Sequence, residues 1–269
     1  MILRELITKI EEKYPKFLAE SWDNVGLMVG DFDAEIQKIL VVLEANEAVI
    51  REAIQEKVDL IITHHPFFFS KINQVNSDSL KGSLTLALIQ NNIALYSMHT
   101  NYDIAFDGMN DQFLSVIGYQ ATDCFHFANA MEWYVAANHG KTPGLGRLVE
   151  LDTPLSVYDL CQQLKAKLNM NQIRLVGNPS NMISKIAVIT GSAADMFSEA
   201  KAAGADVLIS GDMKYHIAQD ALDAGMTVID CGHFETENIF KNAMKKYLES
   251  ICDCKVIASQ ICLNPFCYL

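Results

Sequence analysis

Short apolar runs alternate regularly with segments of helical spacing along this sequence. Each run is rich in β-branched residues and is too short for a buried helix, so it is typical of a strand buried on both faces. Strands that alternate with helices form βαβ units and a largely parallel sheet. The sequence therefore predicts an α/β protein. The runs are KILVVLEA (38–45), VDLIITHHP (58–66), IALYSMHTNYD (93–103), ISKIAVITGSA (183–193), ADVLISGD (205–212) and MTVIDCGH (226–233).

The segment between these two groups of runs has a different pattern. MEWYVAAN (131–138) and LGRLVEL (145–151) alternate in hydrophobicity around a KTPGLG turn, which predicts an antiparallel strand pair and mixed sheets. Near the C-terminus, residues 235–250 are predicted to form one long helix. A last strand is expected at KVIASQI (255–261).

The two groups of runs match each other in order. In the first, DLIITHHP is followed by a helix and NIALYSMHTNYD; in the second, DVLISGDMKYH is followed by a helix and GMTVIDCGHFETE. Overlaying them pairs His99 with His233 and Asp103 with Glu237. We therefore predict an internal duplication with two related lobes, at 1–125 and 126–269. The C-terminal strand could pack back on the first lobe.

Charge and composition exclude several classes of function. The chain has 269 residues, with 33 acidic and 21 basic side chains and a net charge of −12, so it lacks the basic surface that nucleic acids or anionic membranes attract. No apolar run reaches the roughly 20 residues that a membrane helix needs. The charged N-terminal segment is not typical of a secretory signal. An N-terminal segment of this kind, together with an odd number of cysteines, seven, favours reduced thiols and a cytoplasmic location.

The strongest local motif is the pair His64-His65 at the end of LIIT, just before Pro66. Side chains alternate faces along a strand, but a turn at its end lets two neighbouring imidazoles point into the same crevice or toward two metal ions. The alternative is one core histidine and one exposed histidine.

Two further motifs place a histidine four residues before an acid. His233 and Glu237 would share one face of a helix, as metal ligands do, although a helix dipole alone would also attract Glu237. Asp103 is a candidate bridging ligand or the cap of a turn. His99 remains open between a ligand, a residue that orients a ligand, and a general base.

Together these residues lie at predicted strand ends, where open α/β sheets bind ligands. Three imidazoles and two carboxylates are too few for two closed sites but suit two ions with open positions, as in catalytic centres. The nitrogen and oxygen donors are compatible with Zn, Fe, Mn, Ni or Co. The predicted ligands are His64, His65, Asp103, His233 and Glu237.

Six motifs spread along the chain carry a family resemblance: ESWDNVGLMVG (20–30), ITHHPFFF (62–69), HTNYD (99–103), SGDMKYH (210–216), IDCGHFETE (229–237) and NPF (264–266). With these motifs the sequence resembles the Ngg-interacting-factor-3-like family of dinuclear metal-centre proteins, also described as GTP cyclohydrolase 1 type 2 homologs. The resemblance implies that the five positions above hold a metal pair in each chain. It also implies a two-lobed α/β fold and a ring-like homohexamer.

Several residues outside this set are also candidates. Lys214 could contact substrate, and His99 or His216 could shuttle protons, or the segment that begins at Asp212 could be a solvated loop. Asp23 and its neighbour Asn24 could orient a ligand or form a turn. Four C-terminal cysteines have no CxxC spacing and are expected to be thiols without zinc; they are Cys252, Cys254, Cys262 and Cys267.

Three functions follow. The first is a metal-dependent hydrolase acting on an unidentified small molecule, in which two divalent ions polarise the substrate and activate water. The second is a metal-binding, regulatory or scaffold protein without turnover. The third, an α/β protein without metal, leaves the ligand-type residues at the strand ends unexplained.

Overall fold

The computed structural model describes residues 1–267 and confirms the α/β class with two mixed sheets. The strands are β1 (Gly26–Val29), β2 (Lys38–Val42), β3 (Leu60–Thr63), β4 (Ala94–Ser97), β5 (Asp123–Phe127), β6 (Gly144–Ser156), β7 (Arg174–Val176), β8 (Met182–Val188), β9 (Val207–Ser210), β10 (Thr227–Asp230) and β11 (Lys255–Ala258). The helices are α1 (Leu3–Lys13), α2 (Glu47–Glu56), α3 (Leu80–Gln90), α4 (Thr100–Ile104), α5 (Met109–Ile117), α6 (Glu132–Ala137), α7 (Val157–Leu168), α8 (Phe197–Ala202), α9 (Tyr215–Asp223), α10 (His233–Glu237) and α11 (Phe240–Ile251).

The chain divides into two compact units. Unit 1 contains Met1–Tyr102 and the described residues from Phe240 onward, and unit 2 contains Asp103–Ile239. The sequence places a single boundary at 125/126, whereas the structure divides inside α4 and again after α10. The C-terminal residues belong to unit 1 because β11 pairs in parallel with β2 and α11 packs on both strands.

Unit 1 is built on a five-stranded sheet in the order β1-β4-β3-β2-β11. Its strands are parallel except β1, which runs antiparallel to β4. Every residue of β3 and β4 is buried, so apolar side chains fill both faces of the sheet. Polar groups are therefore concentrated where these strands end.

Unit 2 is built on a six-stranded sheet in the order β5-β6-β8-β9-β10-β7. The strands β8, β9 and β10 are parallel, and the other pairings are antiparallel. Strands β9 and β10 are completely buried. Unit 2 therefore also concentrates its polar groups at the strand ends.

Four strands of each sheet share a topology. Strands β1 to β4 of unit 1 have the same order and directions as β7 to β10 of unit 2. An aspartate before the central strand has the same role in each. Asp59 Oδ2 accepts the backbone N–H groups of Gln37 and Lys38, both at 2.8 Å. Asp206 Oδ2 accepts the backbone N–H groups of Ser184 and Lys185, within β8, at 2.7 and 2.9 Å. The duplication itself stays a prediction.

The hydrogen bonds also set the register of the two halves, and this register corrects the sequence overlay. The N–H of Met98 donates to the carbonyl of the last residue of β3, and the N–H of Cys231 donates to that of the last residue of β9. Met98 therefore corresponds to Cys231, and His233 corresponds to Thr100 rather than to His99. The overlay is displaced by one residue because it matches residue types rather than backbone pairing.

Two predicted elements differ from the structure. Residues 132–137 form the helix α6 instead of a strand; only Tyr134 of this helix is buried, and β5 pairs with β6 in its place. The predicted helix over 235–250 is two helices with a break at residues 238–239. The break separates α10, which buries Thr236 and Glu237, from α11, which buries an apolar stripe in unit 1.

Within residues 1–267, no helix combines the length and the apolar character needed to cross a membrane.

We expect Asp59→Ala and Asp206→Ala each to lower the free energy of unfolding by about 1–2 kcal/mol, because each change removes the acceptor of two backbone N–H groups. The matched variants Asp59→Asn and Asp206→Asn keep one acceptor oxygen and should lose less. Denaturant titration of the four variants measures this. Equal losses in the alanine and asparagine variants would contradict the proposed role.

Candidate metal centre

The adjacent histidines of unit 1 lie on a tight bend. The backbone N–H groups of His64 and His65 both donate to the carbonyl of Leu43, at 3.1 and 2.9 Å, and Thr63 Oγ1 donates to the carbonyl of His65 at 2.9 Å. Extended pairing therefore stops at Thr63, and the two imidazoles come together with ring centroids 5.3 Å apart. His64 is fully buried and His65 is half-buried.

A third imidazole joins this pair. The ring of His99, two residues beyond β4, lies 5.1 Å from that of His64 and 5.8 Å from that of His65. One ligand atom from each histidine lies within 4.8 Å of the others. We call this cluster the histidine group. Its donors could hold a metal ion, because neutral imidazole nitrogens are ligands for first-row metals.

Hydrogen bonds orient two of these rings. Nδ1 of His64 lies 2.8 Å from the carbonyl of Met98, and Nδ1 of His99 lies 3.0 Å from Oδ1 of Asp23. A carbonyl or an ionised carboxylate only accepts, so Nδ1 carries the proton and the lone pair of each neutral ring is on Nε2. This arrangement is typical of histidines that ligate metals.

Asp23 connects His99 to the chain before β1. Its Oδ2 accepts from the backbone N–H and the hydroxyl of Thr100, at 3.0 and 2.6 Å. Burial raises the pKa of this carboxyl, but the hydrogen bonds from His99 and Thr100 and the attraction of the imidazole outweigh burial, and the pKa falls from 3.8 to about 2. Asp23 also accepts from the N–H of Asn24 at 2.8 Å, so it both orients a histidine and forms a turn.

The far side of His64 packs against aromatic rings of unit 1. Phe240 lies 5.4 Å from the His64 ring and Tyr102 lies 6.3 Å from it, while Tyr102 and Phe240 meet edge to face at 5.2 Å. These contacts restrict the imidazole to one orientation. They combine rings from α4 and α11, elements far apart in sequence.

Unit 2 contains a second group of ligand-type residues. Nε2 of His233 lies 2.9 Å from Oε2 of Glu237, and its Nδ1 lies 2.7 Å from Oδ2 of Asp212. Two ligands that each lie about 2.1 Å from one ion are themselves about 3 Å apart, so the first pair is compatible with a shared ion. Asp212 orients the ring from the other side, as Asp23 does in unit 1. Glu237 is buried, as its place on α10 requires.

A glycine, Gly191, leaves space for the His233–Glu237 pair. A Cβ atom added at Gly191 would collide with Oε1 of Glu237 and lie 3.5 Å from Nε2 of His233. The N–H of Gly191 also donates to Thr236 Oγ1 at 3.0 Å. Gly191 has φ +71°, which L side chains rarely adopt, so both space and backbone require glycine here.

Asp103 lies in unit 2, inside α4, and is mostly buried. Its carbonyl accepts from Asn110, whose Oδ1 in turn accepts from the N–H of Thr190 at 2.8 Å. The fully buried Arg147 donates to the carbonyls of the two residues after Asp103, at 3.2 and 2.8 Å, and to both oxygens of Asp111. These bonds hold the backbone of Asp103 in place.

The remaining predicted residues lie elsewhere. Lys214 is the exposed cap of α9, and His216 is exposed in its first turn, 5.4 Å from the ring of Tyr215. Neither belongs to a metal-type cluster formed by residues 1–267, and the same holds for the four C-terminal cysteines, which are free thiols.

The sequence reading missed two features of the site. Glu44 Oε2 lies 3.5 Å from Nδ1 of His65, and its position just after β2 in the same strand-end pattern could have marked it. Asp212 begins the segment that the sequence left open between substrate contact and a solvated loop, and its pairing with His233 depends on the tertiary structure.

Comparisons with known proteins agree with this fold and show the family to which the chain belongs. The chain belongs to the Duf34/NIF3 (NGG1p interacting factor 3) family, whose profile matches residues 1–265. A "GTP cyclohydrolase 1 type 2 homolog" of Clostridium perfringens is 37% identical over 99% of both chains. A hypothetical protein of Staphylococcus aureus superposes with a TM-score of 0.89 at 30% identity, over 100% of this chain and 99% of the other. Reduced HcgD of Methanocaldococcus jannaschii gives 0.81 at 29% identity, over 97% and 98%.

The lowered pKa of Asp23 predicts a pH dependence of stability. A carboxyl whose pKa is lower in the folded than in the unfolded chain stabilises the fold above its ordinary pKa, and the contribution is lost as the pH falls toward the folded value. The difference in unfolding free energy between the native chain and Asp23→Asn should therefore be full above about pH 4 and shrink toward pH 2.

Denaturant titrations of metal-stripped protein at several pH values measure this difference. The exposed variant Asp152→Asn controls for the loss of one negative charge. A difference that does not change between pH 5 and pH 2 would contradict the role given to the Asp23–His99 pair.

Proposed function

We propose that this protein is a dinuclear metal-dependent hydrolase that acts on a small molecule. The observation that carries the proposal is the histidine group, in which hydrogen bonds at Nδ1 leave the lone pair on Nε2, where His64 can bind a metal ion and His99 can accept a proton. The His233–Glu237 pair of unit 2 supplies further donors of the same kind. The proposed ligands to the two ions are His64, His65, Asp103, His233 and Glu237.

The donor chemistry fits divalent ions. Imidazole nitrogens and carboxylate oxygens suit Zn, Fe, Mn, Ni and Co alike, and the set contains no thiolate, which structural zinc sites commonly use. When bound, such ions would supply Lewis acidity and lower the pKa of a coordinated water toward 7.

The residues of this chain would move the proton. His99 is the proposed general base, because Asp23 fixes its Nδ1–H and leaves the basic lone pair on Nε2, which is the arrangement of a base and its orienting acid. The carboxylate of Asp23 lies 3.0 Å from Nδ1 of His99 and would hold the ring in this orientation while Nε2 accepts a proton. This gives His99 a role distinct from that of the five ligands.

The class of substrate draws on the relatives. Curated relatives such as that of Clostridium perfringens are called GTP cyclohydrolase 1 type 2 homologs, which favours a nucleotide or a related cyclic amide as the substrate here. We propose a homohexamer in the cytoplasm, as the family resemblance and the composition imply. Sedimentation of the purified protein tests the oligomeric state.

The proposed dinuclear site predicts the metal content of the protein. Elemental mass spectrometry of the purified protein should find about two ions per chain. His65→Ala and Glu237→Ala should each lose metal, because each removes a ligand. His139→Ala and Glu235→Gln are the matched controls, an exposed imidazole and a second carboxylate of α10, and should keep it. A native chain without metal after reconstitution with Zn, Mn and Fe(II) would overturn the proposal.

A second measurement separates catalysis from metal storage or regulation. A screen of phosphoesters, nucleotides and cyclic amides with the native chain defines the activity, and Glu237→Gln should abolish it even where some metal remains. Unchanged turnover in a Glu237→Gln protein that has lost metal would exclude metal-dependent catalysis. A metal-loaded native chain that hydrolyses none of these substrates would favour the non-catalytic alternative.

A further prediction concerns Gly191, the glycine beside Glu237. Gly191→Ala should displace the Glu237 carboxylate and lower the affinity for added Zn²⁺ at least tenfold, because the new Cβ occupies the position of Oε1. Gly225→Ala is the matched control: it has φ +69° but open space around the Cβ, so it should carry only a backbone cost of about 1–2 kcal/mol. Calorimetric titration checks both, and equal Zn²⁺ affinities would contradict the prediction.

A further inference from the structure

Two large aromatic side chains stand exposed beside the histidine group. The side chains of Trp22 and Phe69 are 59% and 65% exposed, with ring centroids 6.0 Å apart and planes tilted by 47°. Each ring also meets the ring of His99 edge to face, with ring centroids 6.0 Å apart for Trp22 and 6.3 Å apart for Phe69. We call Trp22 and Phe69 the aromatic pair.

The backbone that carries the aromatic pair is tied down. Nδ2 of Asn24 donates to the carbonyl of Phe68 at 2.6 Å, which joins the segment that carries Trp22 to the segment that carries Phe69. Asp23, the neighbour of Trp22, holds His99 and Thr100. The exposed rings are therefore attached to the same hydrogen-bonded network that orients His99.

We propose that the aromatic pair stacks a planar aromatic ring of the substrate and places it against His99. An exposed pair of large rings held by an ordered backbone offers stacking surface with little further loss of entropy. Stacking accepts any flat ring, and among the substrates proposed above the nucleotides carry one, so the substrate class is a planar heteroaromatic ring such as a purine. This inference rests on the proposed function, since it assigns the substrate of the same site.

The native sequence allows a direct test. The chain has two tryptophans, so Trp133→Phe leaves Trp22 as the one indole fluorophore. Guanosine and adenosine should quench the fluorescence of the Trp133→Phe protein saturably, and ribose should not. Adding Phe69→Ala should weaken the nucleoside affinity about tenfold. The matched control Phe127→Ala, an exposed phenylalanine on β5 of unit 2, should leave it unchanged.

Three outcomes would overturn the inference. The first is no saturable quenching by either nucleoside. The second is equal affinity in the Phe69→Ala and Phe127→Ala proteins. The third is a change of oligomeric state in Trp22→Ala, seen by sedimentation, which would mean that a second copy covers the aromatic pair. Both residues are exposed, so the variants should fold, and circular dichroism verifies this.

Metal analysis of the same samples separates this inference from the proposed function. Specific quenching in a chain that binds no metal would support stacking and reject the hydrolase. Metal without nucleoside quenching would reject the aromatic pair as a substrate contact and leave the metal proposal standing.

Discussion

The central strands of both sheets are buried on both faces, and this burial determines where polar side chains can lie. Strands β3, β4, β9 and β10 bury every residue, so polar side chains gather where these strands end. His64 and His65 follow β3 directly, and His233 opens the helix that follows β10. The ligand-type side chains therefore lie beyond the strand ends, because the strands themselves are buried.

In each unit an aspartate orients a histidine of the metal-ligand type, but the two aspartates come from different positions in the fold. In unit 1, Asp23 comes from the segment before β1 and fixes Nδ1 of His99. In unit 2, Asp212 lies two residues beyond β9 and fixes Nδ1 of His233. An acid on Nδ1 sets the tautomer and the direction of Nε2, which matters for binding metal or moving a proton. Aspartates at different positions of the shared topology therefore orient the two histidines in the same way.

The fold was largely predictable, and the deviations have physical reasons. Apolar runs with β-branched residues predicted β2, β3, β4, β8, β9 and β10. Residues 132–137 were misread because a short alternating stretch does not distinguish a strand from a helix that buries one ring, Tyr134. The overlay of His99 on His233 was one residue out, because the register is set by backbone hydrogen bonds that residue types do not encode.

That ligand-type residues follow buried strands could be predicted from the sequence, because hydrophobic periodicity and strand-end motifs are local properties. Which of these groups meet depends on the tertiary structure. The approach of Asp23 and Glu44 to the histidine group, the space that Gly191 leaves for Glu237, and the aromatic pair beside His99 all join segments distant along the chain. Such contacts depend on how strands pair and loops close, which no single stretch of sequence specifies.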